Sequence, residues 1–278
     1  METDEPLLEC VVNVSEGCDP AALSALSAAA GSCLLDRHSD CGHHRSVFTL
    51  AGGEDAVMSA AQDLARAAVD LLDLRSHVGA HPRLGVLDVV PWVALEGWPL
   101  RDAQGAAAER GTRARDAFAR WAATELGLPA FLYGPGRSLP EVRREAWRTS
   151  LPDFGPREPH PTAGSVAVGA RGLMVAYNLW LAEPDIGKAR AVAKAVRSEE
   201  VRALAFALGE QVQVSCNLVE PLVVGPAQVW DTVASMAPVA RAELVGLVPQ
   251  TVLDATPKSR WDELDLAVER TIEERLEK

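Results

Sequence analysis

The sequence predicts an α/β protein with α+β character, made of two subdomains that each have a mixed β-sheet with helices on one face and that meet at a groove. Its 278 residues are 48% hydrophobic, which is enough for one large or two modest domains. Segments with strand and helix patterns alternate along both halves. A segment rich in proline and glycine, 135–164, precedes the second series. We therefore predict subdomains at 1–173 and 174–278.

The first half opens with short elements whose ends are marked by capping and turn residues. Three valines favour a strand over 7–14. Asp19 is a suitable helix cap, Pro20 fits the first turn and Gly31 ends the helix. Apolar residues at helical spacing predict an amphipathic helix over 54–74. The predicted strands here are 7–14, 33–36, 46–52 and 86–95, and the predicted helices are 19–30 and 54–74.

The remaining elements follow the same alternation. A long helix over 101–126 closes at Gly127 and is followed by a strand over 130–134. We interpret 135–164 as a long loop, and loops of this length in compact domains are commonly functional. The second half is predicted to contain a strand from about 173, a helix over 184–209, strands 212–218 and 242–248, a helix over 226–236 and two short terminal helices.

The loop 76–85 is the strongest candidate for chemistry. It holds two of the six histidines, His77 and His81, between a helix and a buried strand. Gly79 and Gly85 allow a ligand to approach the backbone closely. Histidine titrates near neutral pH, so His81 suits general acid–base catalysis. The alternative is that His81 only bonds a carbonyl group and fixes the loop.

A metal centre is not predicted. His77 and His81 have the spacing of two ligands on a helix, but a glycine between them disfavours a helix and no acidic residue accompanies them. Asp40, His43 and His44 would complete a cluster only if the loops converge. We therefore expect no tightly bound metal to be required.

The charge and cysteine content indicate the class of protein. A net charge of −12 disfavours nucleic acid and anionic membranes as partners. Residues 1–6 are acidic and do not resemble a secretory signal, and no apolar run reaches the roughly 20 residues that span a bilayer. We expect a cytoplasmic protein with small-molecule substrates, and a homodimer is allowed. The five cysteines are odd in number and lack a Cys-x-x-Cys motif, which favours reduced thiols over a disulfide.

The order and spacing of several motifs resemble the formiminotransferase family, which transfers a formimino group from N-formimino-L-glutamate to tetrahydrofolate. The resemblance covers nearly the whole chain. Its landmarks are Asn13-Val14-Ser15-Glu16-Gly17, Leu34-Leu35-Asp36, His43-His44-Arg45-Ser46-Val47, His77-Val78-Gly79-Ala80-His81-Pro82-Arg83-Leu84-Gly85, Leu132-Tyr133-Gly134, Pro152-Asp153-Phe154-Gly155-Pro156, Val168-Gly169-Ala170-Arg171, Val214-Ser215-Cys216-Asn217-Leu218 and Leu244-Val245-Gly246-Leu247-Val248-Pro249.

The resemblance implies a folate-dependent transferase of one-carbon metabolism and histidine degradation, with folate in the groove between two subdomains and tetrahydrofolate as co-substrate. It implies that His81 is catalytic, that Arg45 lies near the reacting centre and that 155–164 contacts folate. Arg45 and Arg83 are also suited to binding a carboxylate, although surface arginines are common. The implied substrate and folate contacts are Asn13, Asp36, Arg45, Gly155, Pro156, Arg157, Thr162, Gly164 and Arg171.

Several departures from the family pattern leave alternatives open. Ala80 stands where the family usually has glutamate, His38 where it has an acidic residue, and His44 where it has asparagine. Val12 replaces a proline, and the stretches after Tyr133 and before 212 are shorter. The formimino donor therefore stays open, and a formyl group is an alternative cargo. A non-catalytic folate-binding or scaffold paralogue is the second interpretation, and a metal-dependent hydrolase is a weaker third.

Overall fold

The computed structural model describes residues 7–278, so the prediction for the segment 1–6 lies outside its described part. The described chain forms two compact units. One contains residues 7–96 and 102–171, and the other contains 97–101 and 172–278. The predicted α/β class with two subdomains is confirmed, whereas the predicted mixed sheet of the second unit is wrong because all its strand pairs are antiparallel.

The first unit is built on a seven-stranded mixed sheet. Its strand order is β2-β3-β1-β4-β7-β6, with β5 paired to β4 outside this path. β1 pairs antiparallel with β3 and β4, whereas β7 pairs parallel with β4 and β6. The strands are β1 (Leu7–Val14), β2 (Leu34–Asp40), β3 (Arg45–Gly53), β4 (Leu87–Glu96), β5 (Arg101–Asp102), β6 (Ala130–Tyr133) and β7 (Val166–Ala170).

Three helices cover one face of this sheet. They are α1 (Pro20–Ala30), α2 (Glu54–Leu71) and α3 (Glu109–Glu125). Alternate residues of β1, from Leu8 to Val14, are buried in their core, because successive side chains of a strand point to opposite faces. Asn13 on β1 and Arg45 on β3 point in the other direction, so they lie on the face of the sheet opposite these helices.

A fourth helix, α4 (Leu139–Glu145), packs on that opposite face against Phe131 and Tyr133. The expected loop over 135–164 is therefore interrupted by a helix, and the expectation of helices on one face is wrong for this unit. Its start is fixed by a capping box, in which the Ser138 backbone amide donates a hydrogen bond to the Glu141 carboxylate. This short helix brings Arg143 to the face that carries Asn13 and Arg45.

The second unit contains a four-stranded antiparallel sheet in the order β11-β8-β10-β9. The segment predicted as one helix over 184–209 is instead a helix followed by a strand, because burial alternates from Val201 to Leu204 with the period of a strand. The elements are β8 (Val175–Leu181), α5 (Ile186–Val196), β9 (Val201–Leu208), β10 (Gln211–Leu218), α6 (Pro226–Ala234), β11 (Val239–Val245), α7 (Gln250–Asp254) and α8 (Ile272–Leu276).

Several predicted boundaries were also too wide. The helix predicted over 101–126 begins only at Glu109, and the helix predicted to end at 74 ends at Leu71. Among residues 7–278, no helix is both long enough and apolar enough to cross a membrane.

Candidate active site

The loop 76–85 is held between the end of β1 and the segment 160–165. The Ser15 hydroxyl donates to the Gly85 carbonyl over 2.8 Å. Gly85 also forms a bridge with Gly164. A Cβ atom at Gly85 would overlap the carbonyl oxygens of Ala163 and Ser165, so only glycine permits this close approach. The backbone at the Gly85 end of the loop is thus fixed.

His81 has a defined ring orientation in this loop. Its Nδ1 lies 2.7 Å from the Pro82 carbonyl oxygen, which can only accept. Nδ1 therefore carries the proton in the neutral ring, and Nε2 carries the lone pair that a general base needs. Burial lowers the pKa of His81 to about 3, and the charge of Arg45 acts in the same direction. The loop-fixing carbonyl bond and the catalytic orientation are thus compatible.

Asp88 is the centre of the charge network behind His81. Its carboxylate is fully buried and pairs with both Arg45 and Arg143. The Leu84 amide donates to its other oxygen over 2.7 Å. Burial alone would raise the pKa of Asp88, but the two arginines and these hydrogen bonds outweigh it and hold the pKa well below its usual range. Asp88 is therefore ionised at neutral pH.

The two arginines extend this network in different directions. Arg45 donates from Nε to the Asn13 side-chain oxygen over 3.2 Å. Arg143 donates to the Pro82 carbonyl over 3.0 Å, the same oxygen that accepts from His81. Two guanidinium groups against one carboxylate leave a net positive charge beside the imidazole. The arrangement is suited to attracting an anionic substrate to a neutral histidine.

A second group fixes the loop from the side of the β2–β3 hairpin. His77 Nε2 lies 3.0 Å from the His44 carbonyl, and Arg83 Nη1 lies 2.7 Å from His77 Nδ1. Burial and then the charge of Arg83 lower the pKa of His77. Arg83 also donates to the His81 carbonyl over 2.8 Å. These contacts give His77 and Arg83 a role in loop structure.

A disulfide joins Cys18 to Cys41, so the expectation of five reduced thiols is wrong for the structure shown. Cys10, Cys33 and Cys216 are free cysteines. Gly17 packs directly on the backbone of Asp40 and Arg45, which brings the turn after β1 over the hairpin. The pair could not be found by counting cysteines, because this approach of two turns depends on tertiary structure.

The residues proposed from the resemblance are only partly brought together. Asn13, Arg45 and His81 belong to one network. Thr162 and Gly164 lie beside the loop, since the Leu74 amide donates to the Thr162 carbonyl and Gly164 bridges Gly85.

The other proposed contacts are located by their own neighbours. Gly155 packs beside Ala123 and Pro129, next to α3. Pro156 and Arg157 follow it on the surface. Asp36 lies on β2 opposite Thr49, and the Arg171 amide donates to the Trp92 carbonyl at the end of β7.

Among the described residues, the cluster of Asp40, the two histidines 43 and 44 and the two loop histidines is not a group of donors close enough to share one ion. Among residues 7–278, the only group of three or more donors close enough to share an ion is Glu16, Cys18 and His44. The Asp40 carboxylate accepts from the His43 amide, which is the turn-stabilising role considered for it.

Sequence reasoning missed two members of the site, Asp88 and Arg143, and also Glu16, which belongs to the separate group with Cys18 and His44. Asp88 had a signal, because it is a single carboxylate in an otherwise apolar strand, and a buried charge requires partners. Arg143 lay in a segment interpreted as loop, and Glu16 carried no signal beyond the motif around it.

Comparison with known proteins supports one family. Residues 7–171 match the model of the formiminotransferase domain, N-terminal subdomain. A glutamate formimidoyltransferase of Streptococcus pyogenes is 33% identical, over 89% of this chain and 90% of its own. One of Thermoplasma acidophilum is 30% identical, over 89% of both chains. The formimidoyltransferase-cyclodeaminase of Sus scrofa is 34% identical over 90% of this chain, which spans about half (51%) of that longer protein.

Proposed function

Because the chain belongs to the formiminotransferase family, we propose that it moves a formimino group from N-formimino-L-glutamate, or a related amine, to tetrahydrofolate. The resemblance noted in the sequence and the prediction of a transferase enzyme are confirmed by these relatives. We further propose that the reaction serves histidine degradation, that the protein works in the cytoplasm and that folate is a co-substrate.

His81 is proposed as the general acid–base. The attacking nitrogen forms a bond to the amidine-like carbon and must lose a proton, and the departing amine must gain one when its bond to that carbon breaks. The tautomer set by Pro82 leaves a lone pair at Nε2 of His81, which accepts the proton from the attacking nitrogen. Nε2 then donates that proton to the departing amine. This ring orientation is the observation that carries the proposal.

The charges around His81 fit the substrates of such a reaction. Both formiminoglutamate and the tail of folate carry carboxylates. The two positive charges of Arg45 and Arg143 face only one negative charge, that of Asp88, which leaves a net positive charge at the site. Burial is the main cause of the lowered pKa of His81, and the charge of Arg45 adds to it. A carboxylate bound there would offset the part that Arg45 contributes and so make His81 a better base.

The remaining site assignments are proposals. Asp36, Gly155, Pro156, Arg157 and Arg171 are proposed as folate or substrate contacts by the family pattern. Thr162 and Gly164 are supported in addition by their place beside the loop 76–85. The subdomain division at 173/174, with folate between the two parts, and a homodimer also remain predictions.

Calorimetry tests the proposal directly. Tetrahydrofolate should bind the protein, and turnover should be detected when formiminoglutamate is added. Binding without turnover of formiminoglutamate or other N-formimino and N-formyl amines would favour the non-catalytic folate-binding or scaffold paralogue, which Ala80 and His38 support. Absence of folate binding would reject both interpretations.

A further inference from the structure

The disulfide lies in a cluster of metal-binding side chains that the transfer reaction does not use. The ligand atoms of Glu16, Cys18 and His44 all lie within 4.8 Å of one another. The Cys41 sulfur is bonded to that of Cys18 and is therefore directly adjacent to this group, although it is not one of the three. We infer that, once the disulfide is reduced, these four residues bind one Zn²⁺ ion.

The donor set fits zinc. Two cysteine sulfurs, one imidazole nitrogen and one carboxylate oxygen can supply tetrahedral coordination, the usual geometry of structural zinc sites. The Cα atoms of Cys18 and Cys41 are only 4.8 Å apart. Both cysteines are exposed, which gives an ion and a reductant access from solvent.

The orientation of His44 is that of a metal ligand. Its Nδ1 lies 3.0 Å from the Val78 carbonyl oxygen, which requires a proton on Nδ1. The other nitrogen, Nε2, faces the Glu16 carboxylate at 3.3 Å. Nε2 and the Glu16 carboxylate oxygen are therefore close enough to bind one metal ion together. A backbone carbonyl that fixes the distal N–H is the usual support of a metal-bound histidine.

Glu16 is positioned in the same way. Its Oε1 accepts hydrogen bonds from the amides of Cys18, at 2.6 Å, and Asp19, at 2.9 Å. These bonds hold the carboxylate at the start of the turn that carries Cys18. The ligands therefore come from two turns, 16–18 and 41–44, that are already in contact.

Conversion of the disulfide to the zinc-bound form requires a reductant and releases protons. A dithiol reductant transfers two electrons and two protons to the disulfide, becomes a disulfide itself and leaves the Cys18 and Cys41 thiols. Binding of Zn²⁺ then releases the two thiol protons to solvent as two sulfur–zinc bonds form. His44 also donates a hydrogen bond to the Val78 carbonyl in the loop 76–85. Under reducing conditions the ion would therefore replace the disulfide as the cross-link beside this loop.

Cobalt spectroscopy on the wild-type chain tests this inference. The protein is reduced with a phosphine, freed of reductant without oxygen and titrated with Co²⁺. We expect one equivalent to bind, with thiolate charge-transfer absorption and intense tetrahedral visible bands, and one equivalent of Zn²⁺ to displace it. The oxidised protein should give neither signal. A reduced protein without these bands, or a disulfide that the phosphine cannot reduce, would overturn the inference.

Variants identify the ligands. Cys18→Ser, Cys41→Ser and His44→Ala should each abolish or reshape the cobalt spectrum, whereas Cys33→Ser, at a half-buried cysteine outside the cluster, should leave it unchanged. Circular dichroism shows whether each variant is folded, and the comparison of oxidised and reduced wild type decides the matter if one is not. Equal spectra for the wild type and the folded Cys18→Ser/Cys41→Ser double variant would also reject the site.

Discussion

Arg143 and Asp88 form a two-point contact, in which Nη2 of Arg143 is 2.6 Å from Oδ2 of Asp88 and Nη1 is 3.3 Å from Oδ1. The same Arg143 nitrogen Nη1 donates to Pro82. Because Pro82 also accepts from His81, a buried ion pair is linked to the proposed catalytic ring through one carbonyl oxygen.

We predict that Asp88→Asn is strongly destabilising. It leaves two largely buried guanidinium groups without their counter-charge, and breaking a buried pair in this way typically costs about 3–5 kcal/mol. Urea unfolding at pH 7 measures the loss. Asp63→Asn is the matched control, since its pair with Arg66 is exposed and pairs of that kind contribute about 0–1 kcal/mol. Similar losses in both variants would contradict the central role of Asp88.

The lowered pKa of His81 predicts a pH-dependent stability. The unfolded ring binds a proton below about 6.5, whereas the folded ring does so only near 3. The unfolded state thus binds more protons between these values, so this contribution is complete above pH 6.5 and is lost as the pH falls toward 3. From pH 7 to 4, the unfolding free energy of the wild type should fall more steeply than that of His81→Gln, which has no titrating ring at this position. Parallel curves would show that the ring titrates normally.

His81→Ala should remove most turnover and leave folding intact. A positioned general acid–base contributes about 10²–10⁴-fold, or roughly 3–5 kcal/mol of barrier. His77→Ala is the control, because its nitrogens contact His44 and Arg83 within the loop and its loss should reduce kcat less. The measurement is kcat with tetrahydrofolate and formiminoglutamate. Equal rates for wild type and His81→Ala would reject His81 as the catalyst.

Ala80→Glu should raise activity toward formiminoglutamate. The formiminotransferase pattern usually has glutamate at this exposed position, directly before the proposed catalytic histidine, and a carboxylate there would either tune the ring or bind the donor. Ala80→Gln separates charge from size, since it has nearly the same shape without the charge. Kinetics with formiminoglutamate should rank Glu above Gln and Ala. No gain in the Glu variant would indicate that this chain takes a different donor.

Local signals predicted the start of the chain well. The strand over 7–14 and the helix capped by Asp19 were confirmed, because valines, a cap and a terminal glycine act within a few residues. The prediction for 201–208 was wrong because its three alanines and two leucines favour a helix, and only pairing with β10 fixes it as a strand.

The candidate site was predictable in its residues but not in its partners. His81, Arg45 and Asn13 were selected from motifs. Arg45 lies 43 positions from Asp88, and Arg143 lies 55 positions from it, so neither ion pair has a local signal. The link between Cys18 and Cys41 depends in the same way on two turns that meet only in the folded chain.

The shared Pro82 carbonyl has a consequence for how donor preference can be altered by laboratory evolution. α4 holds Arg143, and the capping box of Ser138 and Glu141 sets where that helix begins. A small rotation of α4 would move Arg143, which donates the second hydrogen bond to the Pro82 carbonyl. It would thereby reorient the His81 imidazole without any substitution in the loop itself. Selected substitutions that change donor preference should therefore include positions in this seven-residue helix as well as in the loop 76–85.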